Sequence, residues 1–198
     1  MKIRLNYWQL LLLLLPFIAG ITLNFKYFTH TVPFTYLLDA RVMNFFLTLS
    51  MCLMVCYQAY LGINFNNSRP NRSEWFNFNA YIPVVFNVAY LLYEICFTWI
   101  LPVHNHLSPG PIKKSDLNPT SLVIIVLLIQ TAITFLFVNT QYVSKRIKLI
   151  TDIEQREDAK IDFLNPMRKL LKLSIIVVAS SLLISIMVDI ITFGVMSK

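Results

Sequence analysis

Five apolar runs, at 7–25, 42–63, 81–101, 121–138 and 173–195, constrain this chain more than any other feature. Each has about the length a helix needs to cross the hydrocarbon core of a bilayer, roughly 17–25 residues. The runs contain only two charged side chains, Glu94 and Asp189. Backbone polar groups in lipid must be satisfied within the segment, and runs this long meet that demand as helices. The expected fold is therefore all-α: a multi-pass transmembrane helical bundle of five spans, forming one membrane domain over 1–198. Composition agrees, at 57% hydrophobic residues against about 45–50% in soluble domains. The longest segment outside the runs has 34 residues, below the roughly 40 that an unaided soluble core requires.

The first run needs a separate reading. Lys2 and Arg4 precede Leu10–Leu15, and Ala19 and Gly20 follow, an order that resembles a secretory signal. Ile18-Ala19-Gly20 matches an A-x-A cleavage site poorly, and the apolar character continues through Ile21, Leu23 and Phe25. A retained first span is the better reading, and cleavage would leave four.

Lysine and arginine set the orientation. With the N-terminus in the cytoplasm, the inner segments hold 12 of these residues and the outer segments 5. The positive-inside rule selects this arrangement, with the C-terminus outside the cell membrane. The net charge of +7 is then a topology signal. Nucleic acid is disfavoured as a partner, because a nucleic-acid footprint is a more uniform basic stripe.

Catalytic, cofactor-binding and metal-binding residues are not expected. Only four glycines occur, and neither a P-loop nor a dinucleotide fingerprint is present. No histidine lies within a run, so none is placed as an intramembrane base or haem ligand. His104 and His106 offer two metal ligands, but the nearest acid, Asp116, is ten residues further on. Cys52 and Cys56 are four apart on one helix face and read as small apolar packing.

Glu94 and Asp189 require a reason, since a mid-helix carboxylate costs on the order of 2.5–3.5 kcal/mol on insertion scales. Both fall roughly 10 Å below the outer boundary at 1.5 Å rise per residue. Both also lie on polar stripes at steps of three and four, which share a helix face. Asn87, Tyr90, Glu94 and Thr98 form one, and Ser181, Ser185, Asp189 and Thr192 the other. Weaker stripes are Asn44, Thr48, Cys52 and Cys56 on the second span, and Gln130 and Thr134 on the fourth. The polar faces are expected to converge on the bundle interior, with the third and fifth spans packed together. Glu94, Asp189, Asn87, Tyr90 and Ser185 form the candidate intramembrane polar site. Structural glue is the favoured reading, and a proton or cation site is the alternative.

The cytoplasmic segment 139–172 carries 8 basic and 5 acidic side chains. The reading there is a helical hairpin. A helix runs out of the fourth span to about Lys160, with an Asp152–Arg156 i,i+4 pair. Asn165-Pro166 then restarts the chain as N-cap and first helical residue. Lys145, Arg146, Lys148, Arg156, Arg168 and Lys169 are the candidate contacts to a partner or to lipid. The 64–80 loop is expected along the inner interface, with Trp75 and Phe76 inserted.

The function read from these features is that of a non-enzymatic accessory or regulatory subunit. It binds a protein partner on the cytoplasmic side, a second copy being the other candidate partner within the bilayer. The alternative is a small proton- or cation-coupled transporter or pore using Glu94 and Asp189. In size and span number the chain resembles, in outline, the small multi-span accessory membrane proteins encoded beside RNA-targeting CRISPR effectors in some bacteria. That resemblance implies a membrane accessory role at a defence locus. The Asn, Ile and Lys bias suits an AT-rich bacterial gene, hence a bacterial inner membrane.

Overall fold

A computed structural model describes residues 12–19, 40–96 and 119–196. The described residues are helical, with no strand among them. Among the described residues are four long helices, α1 (Ala40–Asn67), α2 (Glu74–Glu94), α3 (Pro119–Lys148) and α5 (Asn165–Met196), with the short α4 (Ile153–Ala159) and a π-helical turn, Lys160–Leu164, between α3 and α5. Phe45–Asn67 and Val126–Lys148 are long and apolar enough to cross a membrane.

Helix α1 is the centre of the assembly. It packs on α2, α3 and α5, and α3 in turn packs on α2 and α5. The core gathers Met51, Met54, Val55, Leu61 and Phe65 of α1 against Ala132, Val143 and Ile147 of α3 and Met167, Leu170 and Val177 of α5. Phe17, from 12–19, joins the same cluster. Helices α2 and α5 are not a major packing pair, because α1 and α3 stand between them. The expected neighbouring of the third and fifth spans is thus replaced by a shared contact with the second.

Register follows from cross-helix contacts. Gln58 of α1 meets Leu136 and Thr140 of α3, and Asn66 meets Tyr142, so α1 and α3 run parallel. Asn66 also bonds Asn77 near the start of α2, which runs antiparallel to α1. Phe65 packs on Phe163 just before α5. The 68–73 and 149–152 links therefore lie at one end of the bundle.

Chain chemistry explains how the elements stop. After Asn67 the chain closes with Ser68 N–H on the Asn64 carbonyl (3.0 Å) and Arg69 N–H on the Asn66 carbonyl (3.3 Å). Pro70 then cannot continue the helix. Ser73 caps α2, its hydroxyl accepting from Phe76 N–H at 3.2 Å. Helix α3 ends in i→i−3 bonds from Leu149 and Ile150. Asp152 then takes extended backbone and caps α4 through Glu154 N–H at 3.0 Å.

The 139–172 segment corrects the expected hairpin. The helix from the fourth span stops at Lys148, well short of Lys160. Asp152 serves as N-cap in place of the i,i+4 pair with Arg156. Asn165 is helical and its N–H bonds the Lys160 carbonyl, so Asn165-Pro166 lies inside a continuous helical stretch. The physical reason is Pro166. Within an α-helix its ring would strike the carbonyl four residues back, and it has no N–H to donate. The π turn widens the backbone just ahead of it and lets the helix run on.

Candidate functional site

Polar side chains collect on the buried faces of α1, α2 and α3. Ser50, Gln58 and Asn66 of α1 are buried, as are Asn139 and Thr140 of α3, Asn87 and Glu94 of α2, and Ser174 of α5. Gln58 Nε2 donates to the Leu136 carbonyl at 2.7 Å and to Thr140 Oγ1 at 2.8 Å. Asn139 Nδ2 returns a bond to the Gln58 carbonyl at 3.0 Å. These reciprocal bonds hold α1 to α3, and Gly62 lets the backbones approach. A Cβ at Gly62 would lie 2.6 Å from Asn139 Oδ1. The side-chain oxygens of Gln58 and Asn139 are buried without a hydrogen-bond partner.

The candidate intramembrane residues fare unequally. Asn87 and Glu94 lie on the buried face of α2, 0% and 5% exposed, with Tyr90 half-buried between them. Asn87 Nδ2 donates to the Pro83 carbonyl at 2.8 Å, one turn back. Proline at 83 has no N–H for the Asn79 carbonyl one turn back, yet the helix runs on through it. Asp189 and Ser185 fall on α5, but their side chains lie outside the described residues, as do all three histidines. On the second span Thr48 and Cys52 are buried as expected and Cys56 is half-buried, while the side chain of Asn44 lies outside the described residues. On the fourth, Gln130 and Thr134 face outward, which overturns that stripe. Residues 132, 136, 139, 140, 143 and 147 form the inward face instead, turned away from both.

The end formed by the two links holds a second cluster. Asn66 is its hub, donating to the Ser73 carbonyl (2.8 Å) and to Asn77 Oδ1 (2.9 Å). Its Oδ1 accepts from Ser73 N–H at 3.1 Å and from the Tyr142 hydroxyl at 3.3 Å. Phe76 stacks on Tyr142 with ring centroids 4.0 Å apart and planes 11° from parallel. Arg146 covers Tyr142 at 5.4 Å, and Arg69 covers Phe65 at 5.2 Å. Phe76 is thus packed against protein instead of being inserted at an interface, while its neighbour Trp75 is exposed.

The basic candidates divide along the same lines. Lys145, Lys148 and Arg168 are exposed, and Lys169 and Arg156 are half-buried. Glu157 bonds Lys160 at 2.6 Å. That hydrogen bond first, and then the charges of Lys160 and Arg156, hold the Glu157 carboxyl below its ordinary range. Leu149, Ile153 and Ile161 remain exposed among these charges.

Sequence reasoning passed over Gln58, Asn66, Asn139 and Tyr142. A signal for the first two was available. Ser50, Met54, Gln58, Gly62 and Asn66 recur every fourth residue, and all are buried. Asn139 and Tyr142 sit just beyond the fourth apolar run, which had placed them in a solvated segment. Among the described residues no group of three or more His, Cys, Asp or Glu is placed to hold a metal. No protein-family profile, curated protein sequence or solved structure matches the chain.

Proposed function

We propose that the chain is a multi-pass membrane protein of five spans that acts as a non-enzymatic accessory subunit. The end bearing the 68–73 and 149–152 links faces the cytoplasm and engages a protein partner there. Its membrane character is supported by an inverted distribution of side chains. Gln58, Asn87 and Asn139 are buried. Leu127, Phe137 and Val138 of α3, Val85, Phe86 and Leu92 of α2, and Ile176, Leu182 and Leu183 of α5 are exposed. Helices that carry apolar residues outward suit a lipid solvent, where interhelical contacts rely on polar and small residues.

The observation that carries the partner reading is the pair Leu149 and Ile153, 76% and 68% exposed at the break between α3 and α4. They sit in the most charged part of the chain, beyond the apolar runs. Large apolar side chains ringed by mixed charge mark a contact surface. An effector at a defence locus is one partner of this kind. The test is photocrosslinking from positions 149 and 153 of the full chain in its native membranes. A discrete adduct is expected, lost in the L149D/I153D variant. Crosslinks to lipid alone would overturn the partner reading.

The alternative, a proton or cation site, rests on Glu94 and Asn87 sharing the buried face of α2. It requires ion flux in proteoliposomes that disappears in E94Q while the protein still folds. Flux no higher than in empty vesicles would exclude it.

A further inference from the structure

A concavity of about 340 Å³ lies on α5, lined by Asn165, Arg168, Lys169 and Lys172. Their spacing of three, four and seven places all four on one helix face. No acidic side chain is among these lining residues. Two other cations of the segment are engaged within the protein. Arg146 lies over Tyr142 and Lys160 bonds Glu157, whereas Arg168 and Lys172 are exposed and make no ion pair among the described residues.

Lys172 is the last charged residue before the 173–195 run. Below it on the outward side, Ile175, Ile176, Leu182 and Leu183 are exposed, while Ser174 and Val177 turn inward. A ligand here would meet cations and an amide along two helical turns, about 10 Å at 1.5 Å rise per residue, and a long apolar wall directly beneath. That order matches a phospholipid, whose phosphates sit where the hydrocarbon begins.

We propose that this concavity binds the headgroup of an anionic phospholipid carrying two phosphates, diphosphatidylglycerol, from the cytoplasmic leaflet. Arg168 offers a planar fork that bonds phosphate oxygens in pairs. Lys172 adds a point charge, and the Asn165 amide adds a neutral donor. Two phosphates match the two cations here that make no ion pair among the described residues, Arg168 and Lys172, and zwitterionic headgroups cancel their own charge. Basic pockets at this level of membrane proteins hold such lipids.

The proposal rests on the membrane reading, so the experiment separates the two. The purified full chain is first floated with phosphatidylcholine vesicles in alkaline carbonate. A chain that stays in the aqueous phase overturns both. For a chain that floats, native mass spectrometry follows, with equimolar diphosphatidylglycerol, phosphatidylglycerol and phosphatidylcholine. Diphosphatidylglycerol is expected to dominate the bound lipid. R168Q/K172Q should reduce its preference over phosphatidylcholine by about 25-fold, at about five-fold per cation near an anionic surface. R168K/K172R should retain it, and K145Q/K148Q, outside the concavity, should leave it unchanged. Equal occupancy of the three lipids, or an unchanged preference in R168Q/K172Q, overturns the headgroup site alone. Displacement of the lipid by millimolar inorganic phosphate would also overturn it, assigning the site to a free anion.

Discussion

Among the described residues, helices α1 and α3 contain two stretches long and apolar enough to cross a membrane, yet they occupy different places. Of the most apolar part of Phe45–Asn67, 61% is buried within the protein, against 33% of that of Val126–Lys148. Hydropathy therefore says that a helix is apolar without saying what covers it. What separates them is the spacing of their polar and small residues. Ser50, Gln58, Gly62 and Asn66 follow a four-residue step that gives α1 a face for α3 and for the start of α2. On α3 the inward contacts concentrate at Ala132, Leu136, Asn139, Thr140 and Val143, and the opposite side carries exposed Leu127, Phe137 and Val138.

The sharpest way to break this comparison is to charge the outward side of α3. Leu127→Asp places a carboxylate where the side chain is 54% exposed. In water such a change would be close to neutral. In a bilayer it costs about 2.5–3.5 kcal/mol on insertion scales. Glycosylation-reporter or protease-protection assays of insertion should show the span failing to integrate. Normal insertion would mean that this face does not meet lipid.

The next largest effect is expected on the inward side of α1. Gly62→Val would drive new methyl groups into Asn139, whose amide is held by the Gln58 carbonyl. Overpacking of this kind costs about 1–3 kcal/mol. The melting temperature in detergent should fall, and N139A should recover part of the loss in the double variant. Independent, additive effects would mean that α1 and α3 do not approach at this point.

A smaller effect tests the end where the links meet. A double-mutant cycle on Phe76→Ala and Tyr142→Ala should give a coupling of about 0.5–1.5 kcal/mol, typical of an aromatic pair. Zero coupling would return Phe76 to the interfacial position its sequence context suggested.

The smallest expected effect concerns pH. The Glu157 carboxyl is held below its ordinary range, so any stabilisation it provides is present above the unfolded-state value and lost as pH falls through the folded one. The group is fully exposed and screened by water. E157Q should therefore leave the melting temperature unchanged at neutral pH. NMR titration of the carboxylate should show a midpoint lower than that of an unpaired glutamate. A midpoint at the ordinary value would remove the Lys160 contact.

The all-helical fold was legible in the sequence, since α1, α2, α3 and α5 each overlap an apolar run. Their lengths were less so. Helix α1 continues through Asn64, Asn66 and Asn67, because Asn66 is paid back by four hydrogen bonds at the shared end. A residue-by-residue hydropathy scale counts such an asparagine as solvent-seeking. The two carboxylates drew attention because charge in an apolar run is conspicuous. The amides that hold α1 to α3 did not, because Gln58 lies off the stripe of Asn44, Thr48, Cys52 and Cys56, and Asn139 falls just past the fourth run. Pro166 gave the opposite error. Proline commonly opens a helix, and only the π turn reveals that here it is accommodated within one.

The central claim is that the 68–73 and 149–152 links lie together on the cytoplasmic face of a membrane-spanning bundle. Thiol accessibility tests it directly. With Cys52, Cys56 and Cys96 replaced by alanine, single cysteines at Ser68 and Leu149 are treated with a membrane-impermeant maleimide. Both should label in inside-out vesicles and neither in intact cells. Labelling of either site from the outside, or recovery of the chain in the soluble fraction, would contradict the account.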